Sequence, residues 1–160
     1  MIYIAIYIAA IVAANLSIAH FGVVSAPINA FLFIGLDLAL RDRLHERWKN
    51  RAVFTRMLGL FSVAGVISYL LNPASGMIAV ASLVAFVVAS MADTLVYDKL
   101  QAKEYFVRCN GSNLAGALVD SIIFPVLAFG GFPVGVIATQ FAAKFWGGFV
   151  WSLILQGRSR

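Results

Sequence analysis

IYIAIYIAAIVAANLSIAHF, residues 2–21, is a run that contains no Asp, Glu, Lys or Arg. An α-helix crosses the hydrocarbon core of a bilayer in about 20 residues, so a run of this length predicts a membrane span. No basic segment precedes the run, and its apolar character continues to Phe21. We therefore expect it to be retained rather than cleaved as a signal peptide.

Apolar segments of the same kind recur along the chain. Of its 160 residues, 62% are hydrophobic and 12% are charged, whereas a soluble domain is usually about half apolar and a quarter charged. The alternating strand segments of an outer-membrane barrel are missing from the sequence. The pattern predicts an all-α polytopic membrane protein, a single transmembrane domain over residues 1–160. Its six transmembrane helices are expected at approximately 2–21, 24–40, 53–71, 76–97, 111–129 and 132–155.

The second of these segments is the weakest. Pro27 suits the first turn of a helix, and a helix that begins there is short for a membrane span. We expect this segment to be short, tilted or partly re-entrant.

The basic residues are concentrated between the apolar segments. Six Lys and Arg lie within 41–56, three within 98–109 and two at Arg158 and Arg160, whereas the connections 22–26, 72–75 and 130–131 carry none. Because cytoplasmic loops carry the excess of Lys and Arg, we predict that both termini are cytoplasmic. The same residues are expected to contact lipid headgroups rather than nucleic acid.

Asp120 and Lys144 are charged residues inside apolar segments. Each lies about ten to twelve residues from the point at which its helix enters the membrane, which at 1.5 Å per residue is roughly mid-membrane. An unpaired charge at that depth costs at least a few kcal/mol. We expect the two side chains to approach each other or to share a cavity, where they either hold two helices together or face a substrate.

Polar residues accompany both charges. At 100° per residue, Asn110 and Asn113 fall on the same helix face as Asp120. The corresponding face of the sixth segment holds Gln140, Lys144 and Trp151. Four nearby glycines permit close helix approach: Gly111, Gly116, Gly147 and Gly148. These polar faces should face each other or a wet cavity.

Asp37 and Asp93 each lie about one turn from a predicted cytoplasmic helix end. Either aspartate binds a ligand or pairs with a loop arginine such as Arg41. Asn15 and Asn29 lie in the first and second segments, where an amide either bonds neighbouring helices together or contacts a ligand.

Aromatic side chains in the apolar segments offer flat faces. They either stack on a planar ligand or contact lipid. The candidates are Phe86, Phe124, Phe141 and Trp146.

Signatures of catalysis are missing from the sequence. It has no metal-binding His pair with Glu, no phosphate-binding Gly-rich loop and no Gly-x-Ser-x-Gly elbow. The single cysteine gives neither a disulfide nor a metal site. We expect a protein that is not an enzyme and that uses no metal or cofactor.

Several motifs carry a family resemblance. The chain resembles the queuosine-precursor transporter family, also described as putative vitamin-uptake transporters, through nearly its whole length. The block from Ser112 to Phe129 is the most specific part. The other matching stretches are 81–86, 93–97, 110–113, Phe31–Leu38, Gln140–Lys144 and Asn15. Usual members carry an acidic residue and Tyr-Gly soon after the second-helix Asp, where this chain has Arg41-Asp42-Arg43.

The resemblance implies import of 7-cyano- or 7-aminomethyl-7-deazaguanine, a purine-like small molecule, across the cell inner membrane. A carboxylate suits the adjacent donors of a guanine-like edge, because charge-assisted hydrogen bonds are strong. The substrate-binding residues expected from the polar pattern and the resemblance are Asn15, Asn29, Asp37, Asp93, Asn113, Asp120, Gln140 and Lys144.

Other readings stay open at this point. The chain is either a stand-alone transporter, a homo-oligomer or the substrate-binding subunit of a multi-component vitamin-type transporter with an energising partner subunit. Alternatively it is a non-transporting membrane scaffold protein, whose polar residues hold helices together. An intramembrane enzyme is the third class and ranks below both. The alanines at 5, 9 and 13 provide a small-residue face that suits either a partner helix or packing within one chain.

Overall fold

The computed structural model describes residues 2–48 and 52–156, and it is helical throughout, with no strand among those residues. The all-α prediction is confirmed. Arg158 and Arg160 lie outside the described residues, as does the side chain of Asn110. The longer helices are α1 (Ile2–Phe21), α3 (Gly35–Trp48), α4 (Val53–Leu71), α5 (Gly76–Lys99), α6 (Tyr105–Phe129) and α7 (Val134–Gln156), and the four-residue α2 is Ala26–Asn29.

The second apolar segment is the most irregular part of the chain. Gly22 adopts a positive φ of 70°, which glycine tolerates because it has no Cβ. A 3₁₀ turn (Gly22–Ser25), α2 and a π-turn (Ala30–Ile34) follow before α3 begins at Gly35. The predicted segment ended at residue 40, whereas α3 continues to Trp48.

Four helical stretches of the described chain are long and apolar enough to cross a membrane: Ile2–Arg41, Val53–Leu71, Pro73–Lys99 and Gly111–Phe129. The first contains 40 residues, about 60 Å if it were one straight helix. The stretch folds back on itself instead, as the contacts of α1 with the π-turn and with α3 show. The count of six spans and the cytoplasmic placement of both termini stay predictions.

The apolar core lies among α1, α3, α4 and α5. Tyr7, Leu40 and Met57 are fully enclosed there, and Phe61 stacks on Phe86 with ring centroids 4.2 Å apart. The outer surface is also apolar, as a lipid-facing surface should be. Its most exposed large side chains include Val24, Leu70, Leu71, Met77 and Val134.

Glycines set two close helix contacts. A Cβ built on Gly147 of α7 would collide with the carbonyl of Phe31, and one on Gly35 would lie 2.6 Å from the carbonyl carbon of Gly147. A Cβ built on Gly116 of α6 would instead lie 3.3 Å from the Cβ of Asp93 on α5. The glycines therefore do permit close approach, but α6 and α7 use them against other helices and not against each other. The partner of a small-residue face depends on helix rotation, which the spacing of glycines does not reveal.

Candidate functional site

One cavity lies at the centre of the bundle, and α1 through α7 all contribute to its walls. The space open to the centre of a water molecule is about 80 Å³, enough for several waters. Its lining includes all eight of the residues selected from the sequence: Asn15, Asn29, Asp37, Asp93, Asn113, Asp120, Gln140 and Lys144. The fold thus brings the eight residues together, and their role in binding stays a prediction.

Asp120 of α6 and Lys144 of α7 form an ion pair in this lining. Lys144 Nζ donates to Asp120 Oδ2 at 2.5 Å and to Ser121 Oγ at 3.1 Å. The Ser121 hydroxyl in turn donates to the carbonyl of Ala117 at 2.7 Å. The predicted approach of Asp120 and Lys144 is confirmed. Lys144 is 2% exposed. Its charge is therefore stabilised by Asp120, by Ser121 and by the contents of the cavity, and not by bulk water.

Asn15 connects three helices. Its Nδ2 donates to Ser68 Oγ of α4 at 3.2 Å, and its Oδ1 accepts from Ser82 Oγ of α5 at 2.9 Å. Ser68 also donates to the carbonyl of Ala64 at 2.8 Å. Of the two readings of Asn15, the bond between helices is present in the structure, and the side chain nevertheless borders the cavity.

The amides of Asn29 and Gln140 are less committed. Asn29 Nδ2 donates to Ser25 Oγ over a long 3.4 Å. Gln140 is 2% exposed and forms no hydrogen bond with the described residues. A buried amide is usually satisfied, so the side chain of Gln140 is available for a ligand or water in the cavity.

Asp37 and Arg41 form a second, looser pair within α3. Arg41 Nη2 lies 3.8 Å from Asp37 Oδ2, and the guanidinium carbon lies 5.3 Å from the ring centroid of Phe86. Asp37 is 2% exposed, and its Oδ1 has no hydrogen-bond partner among the described residues. The hydroxyl of Tyr7 on α1 faces the same two charged groups without a hydrogen bond of ordinary geometry. The predicted contact of Asp37 with a basic residue is therefore present.

Asp93 of α5 has no such partner. It forms no ion pair with the described residues, and its Oδ1 is buried without a hydrogen bond. The alternative in which a loop arginine pairs with Asp93 is not found in the described chain. Asn113 of α6 borders the cavity from an exposed position.

The aromatic candidates separate into two groups. Phe86 and Phe124 line the cavity, whereas Phe141 and Trp146 do not. Trp146 is among the exposed apolar residues, which agrees with a lipid-facing role. Of the face that holds Gln140, Lys144 and Trp151, the part with Gln140 and Lys144 borders the cavity and Trp151 does not.

Two kinds of residue at the cavity were not predicted from the sequence. Arg41 was counted as a loop charge, although it lies inside α3 and lines the cavity. Ser68, Ser82 and Ser121 complete the networks of Asn15 and Lys144. Serine is ordinary in apolar helices, so only the position of Ser121 directly after Asp120 offered a signal.

Comparison with known proteins bears on function. A family model described as putative vitamin uptake transporter matches residues 1–156. No curated protein and no solved structure matches the chain significantly. The resemblance carried by the sequence motifs is confirmed, and transporters are not a class of enzyme. An apolar helical bundle around a cavity bordered by charged and amide side chains is also the arrangement expected of a membrane protein that carries solutes. The chain belongs to the putative vitamin uptake transporter family.

Proposed function

We propose that this protein imports a precursor of queuosine, 7-cyano- or 7-aminomethyl-7-deazaguanine, across the cell inner membrane. The observation that carries the proposal is the central cavity, where the Asp120–Lys144 pair and the uncommitted amide of Gln140 lie together. Ionisable residues at this depth mark substrate paths in membrane proteins.

The donors and acceptors of the cavity suit a guanine-like edge. Such an edge presents two adjacent donors and one carbonyl acceptor. The side chain of Asp120 is 25% exposed, and a carboxylate has about four lone-pair positions, so Asp120 can accept from a ligand while Lys144 holds one oxygen. Gln140 supplies a donor for the carbonyl, because its amide is not used by the described chain.

A flat base also requires a flat neighbour, and Phe124 provides one. Phe86 is stacked against Phe61 and lies under the guanidinium of Arg41, so its faces are occupied. Phe124 contacts Phe129 edge to face, with an interplanar angle of 80°. Phe124 also packs against the apolar cluster of Ile18, Ala26 and Ile78, and part of its side chain borders the cavity. Stacking on Phe124 would therefore set the plane of a bound base.

Uptake in cells that cannot synthesise queuosine tests this proposal. Cells that express the protein and receive a precursor at low concentration should recover queuosine in their tRNA, measured by mass spectrometry of nucleosides. Gln140→Leu should lose recovery, whereas Thr139→Val, at the neighbouring exposed position of α7, should keep it. Equal recovery with and without the protein would refute import and favour the scaffold reading.

The requirement for a partner is tested separately. Purified protein in lipid vesicles should accumulate labelled precursor if the chain transports alone. Binding without accumulation, together with uptake in cells, would identify the chain as the substrate-binding subunit of a larger transporter.

A further inference from the structure

The lining of the central cavity contains more acidic than basic side chains. Among the described residues, three carboxylates and two cations border it. Lys144 pairs with Asp120, and Arg41 pairs loosely with Asp37. One negative charge is left over, and Asp93 is the carboxylate without an ion pair in the described chain.

The geometry around Asp93 keeps that charge in place. Its Oδ1 is buried and accepts no hydrogen bond from the described residues. Gly116 of α6 packs closely on its Cβ, so the neighbouring helix limits movement of the side chain on that side. Asp93 is partly exposed to the cavity, and a carboxylate inside an apolar membrane segment is costly unless a counter-charge pairs with it. A positive charge that enters the cavity would supply that counter-charge.

Asp37 offers a second acceptor on the same cavity. It is 2% exposed, and its Oδ1 likewise has no partner in the described part of the chain. The 3.8 Å separation from Arg41 is longer than a charge-assisted hydrogen bond of about 2.7–2.9 Å. The other polar groups that face Asp37 are the Tyr7 hydroxyl, Asp120 and Lys144, and Lys144 is already held by Asp120 and Ser121.

We propose that the loaded cavity holds one monovalent positive charge, bound by Asp93 with Asp37 as a second acceptor. The charge has two chemical sources. It is the ammonium group of an amine-bearing substrate, or it is a proton or Na⁺ that enters with a neutral substrate. The choice of organic probe rests on the proposed function. Within that function, the aminomethyl precursor would bring its own ammonium group, and the neutral cyano precursor would enter with a proton or Na⁺.

A comparison of the two precursors separates the sources. If the substrate brings the charge, the wild-type protein should take up the aminomethyl precursor at least tenfold more efficiently than the cyano precursor. Asp93→Asn, which keeps the size of the side chain and removes its charge, should abolish that preference. If an inorganic cation brings the charge, uptake of the cyano precursor should require low pH or Na⁺, and Asp93→Asn should remove the requirement.

Asp98→Asn is the matched control. Asp98 lies on the same helix, is exposed and accepts from Gln101 Nε2 at 3.3 Å outside the cavity. This variant should keep the wild-type preference and the wild-type ion dependence. The amount of each variant in the membrane should be matched before uptake is compared.

Three results would overturn the inference. Asp93→Asn with unchanged preference and unchanged ion dependence would do so. If that variant does not fold, the wild-type protein alone decides, since uptake with neither an amine preference nor a dependence on pH or Na⁺ contradicts a bound positive charge.

If the wild-type protein imports neither precursor, the proposed function fails by itself. Binding of ²²Na⁺ and of labelled methylammonium by the purified protein then tests Asp93 for both sources, and equal binding of both cations by wild type and Asp93→Asn refutes the site.

Discussion

The two ion pairs of the cavity differ in what they join. The Asp120–Lys144 pair connects α6 to α7, is short and is supported by Ser121. The Asp37–Arg41 pair lies within α3, is separated by 3.8 Å and leaves one Asp37 oxygen without a partner. The first pair therefore helps to hold α6 against α7. The second leaves Oδ1 of Asp37 available to a ligand in the cavity.

Lys144→Gln tests whether the Asp120–Lys144 pair holds α6 and α7 together. Of the variants considered, it should cause the largest loss of stability. Removal of one partner leaves Asp120 without its cation, which for a buried pair typically costs about 3–5 kcal/mol. Denaturation in detergent should show this loss, and the double variant Asp120→Asn with Lys144→Gln should recover most of it. A loss below about 1 kcal/mol would mean that the interhelical pair is no stronger than the pair within α3.

Asp120→Asn tests the functional half. The substitution replaces a carboxylate with one acceptor and one donor, so the amide would present a donor to a donor of the guanine-like edge. The expected cost to substrate binding is about 2–4 kcal/mol, or roughly 30- to 1000-fold in affinity. Uptake should fall accordingly while membrane insertion is retained.

The double variant also decides the role of Asp120 in uptake. If Asp120 serves only the pair with Lys144, uptake should return when both charges are removed together. We expect uptake to stay lost. Recovery would move Asp120 from the binding site to the helix contacts.

Gly147→Ala tests whether the position of α7, and hence of Lys144, depends on close packing. The added methyl group would collide with the carbonyl of Phe31, and such overpacking typically costs about 1–3 kcal/mol. Gly135→Ala on the same helix is the control, because nothing lies within 4 Å of its added Cβ. Equal melting temperatures for the two variants in detergent would contradict the close contact.

Asp37→Asn should have the smallest effect on stability. Arg41 lies 3.8 Å from Asp37 and its side chain is 24% exposed, so the substitution breaks no charge-assisted hydrogen bond between the two residues. The stability of the variant in detergent should lie within about 1 kcal/mol of wild type. A cost as large as that of Lys144→Gln would remove the difference between the two pairs.

The composition of the cavity was predictable because the membrane restricts where polar groups can lie. Asp120, Lys144 and Gln140 are expensive against lipid, so their sequence positions inside apolar segments already indicated the interior of the bundle. The all-helical fold was predictable because the apolar segments are long enough to cross a membrane as helices.

The details of pairing were not predictable. Asn15 was a candidate from its depth, but its partners Ser68 and Ser82 lie on helices distant in sequence. Which residues meet depends on the rotation and tilt of each helix. Those angles are set by packing between segments, such as the contact of Gly147 with Phe31, and the periodicity of a single segment does not contain them.

The π-turn at Ala30–Ile34 has a consequence for direction. Asn29 and Asp37 are eight positions apart, and in an uninterrupted α-helix they would point about 80° away from each other. A π-turn takes up roughly one extra residue, which unwinds the helix by about 100° and reduces the difference to about 20°. The irregular turn therefore acts as an angular correction that aligns an amide and a carboxylate on one wall. Deletion of a single residue from 30–34 would leave seven regular helical positions between Asn29 and Asp37 and keep that alignment, whereas a regular α-helix of full length would turn Asp37 by about 100°.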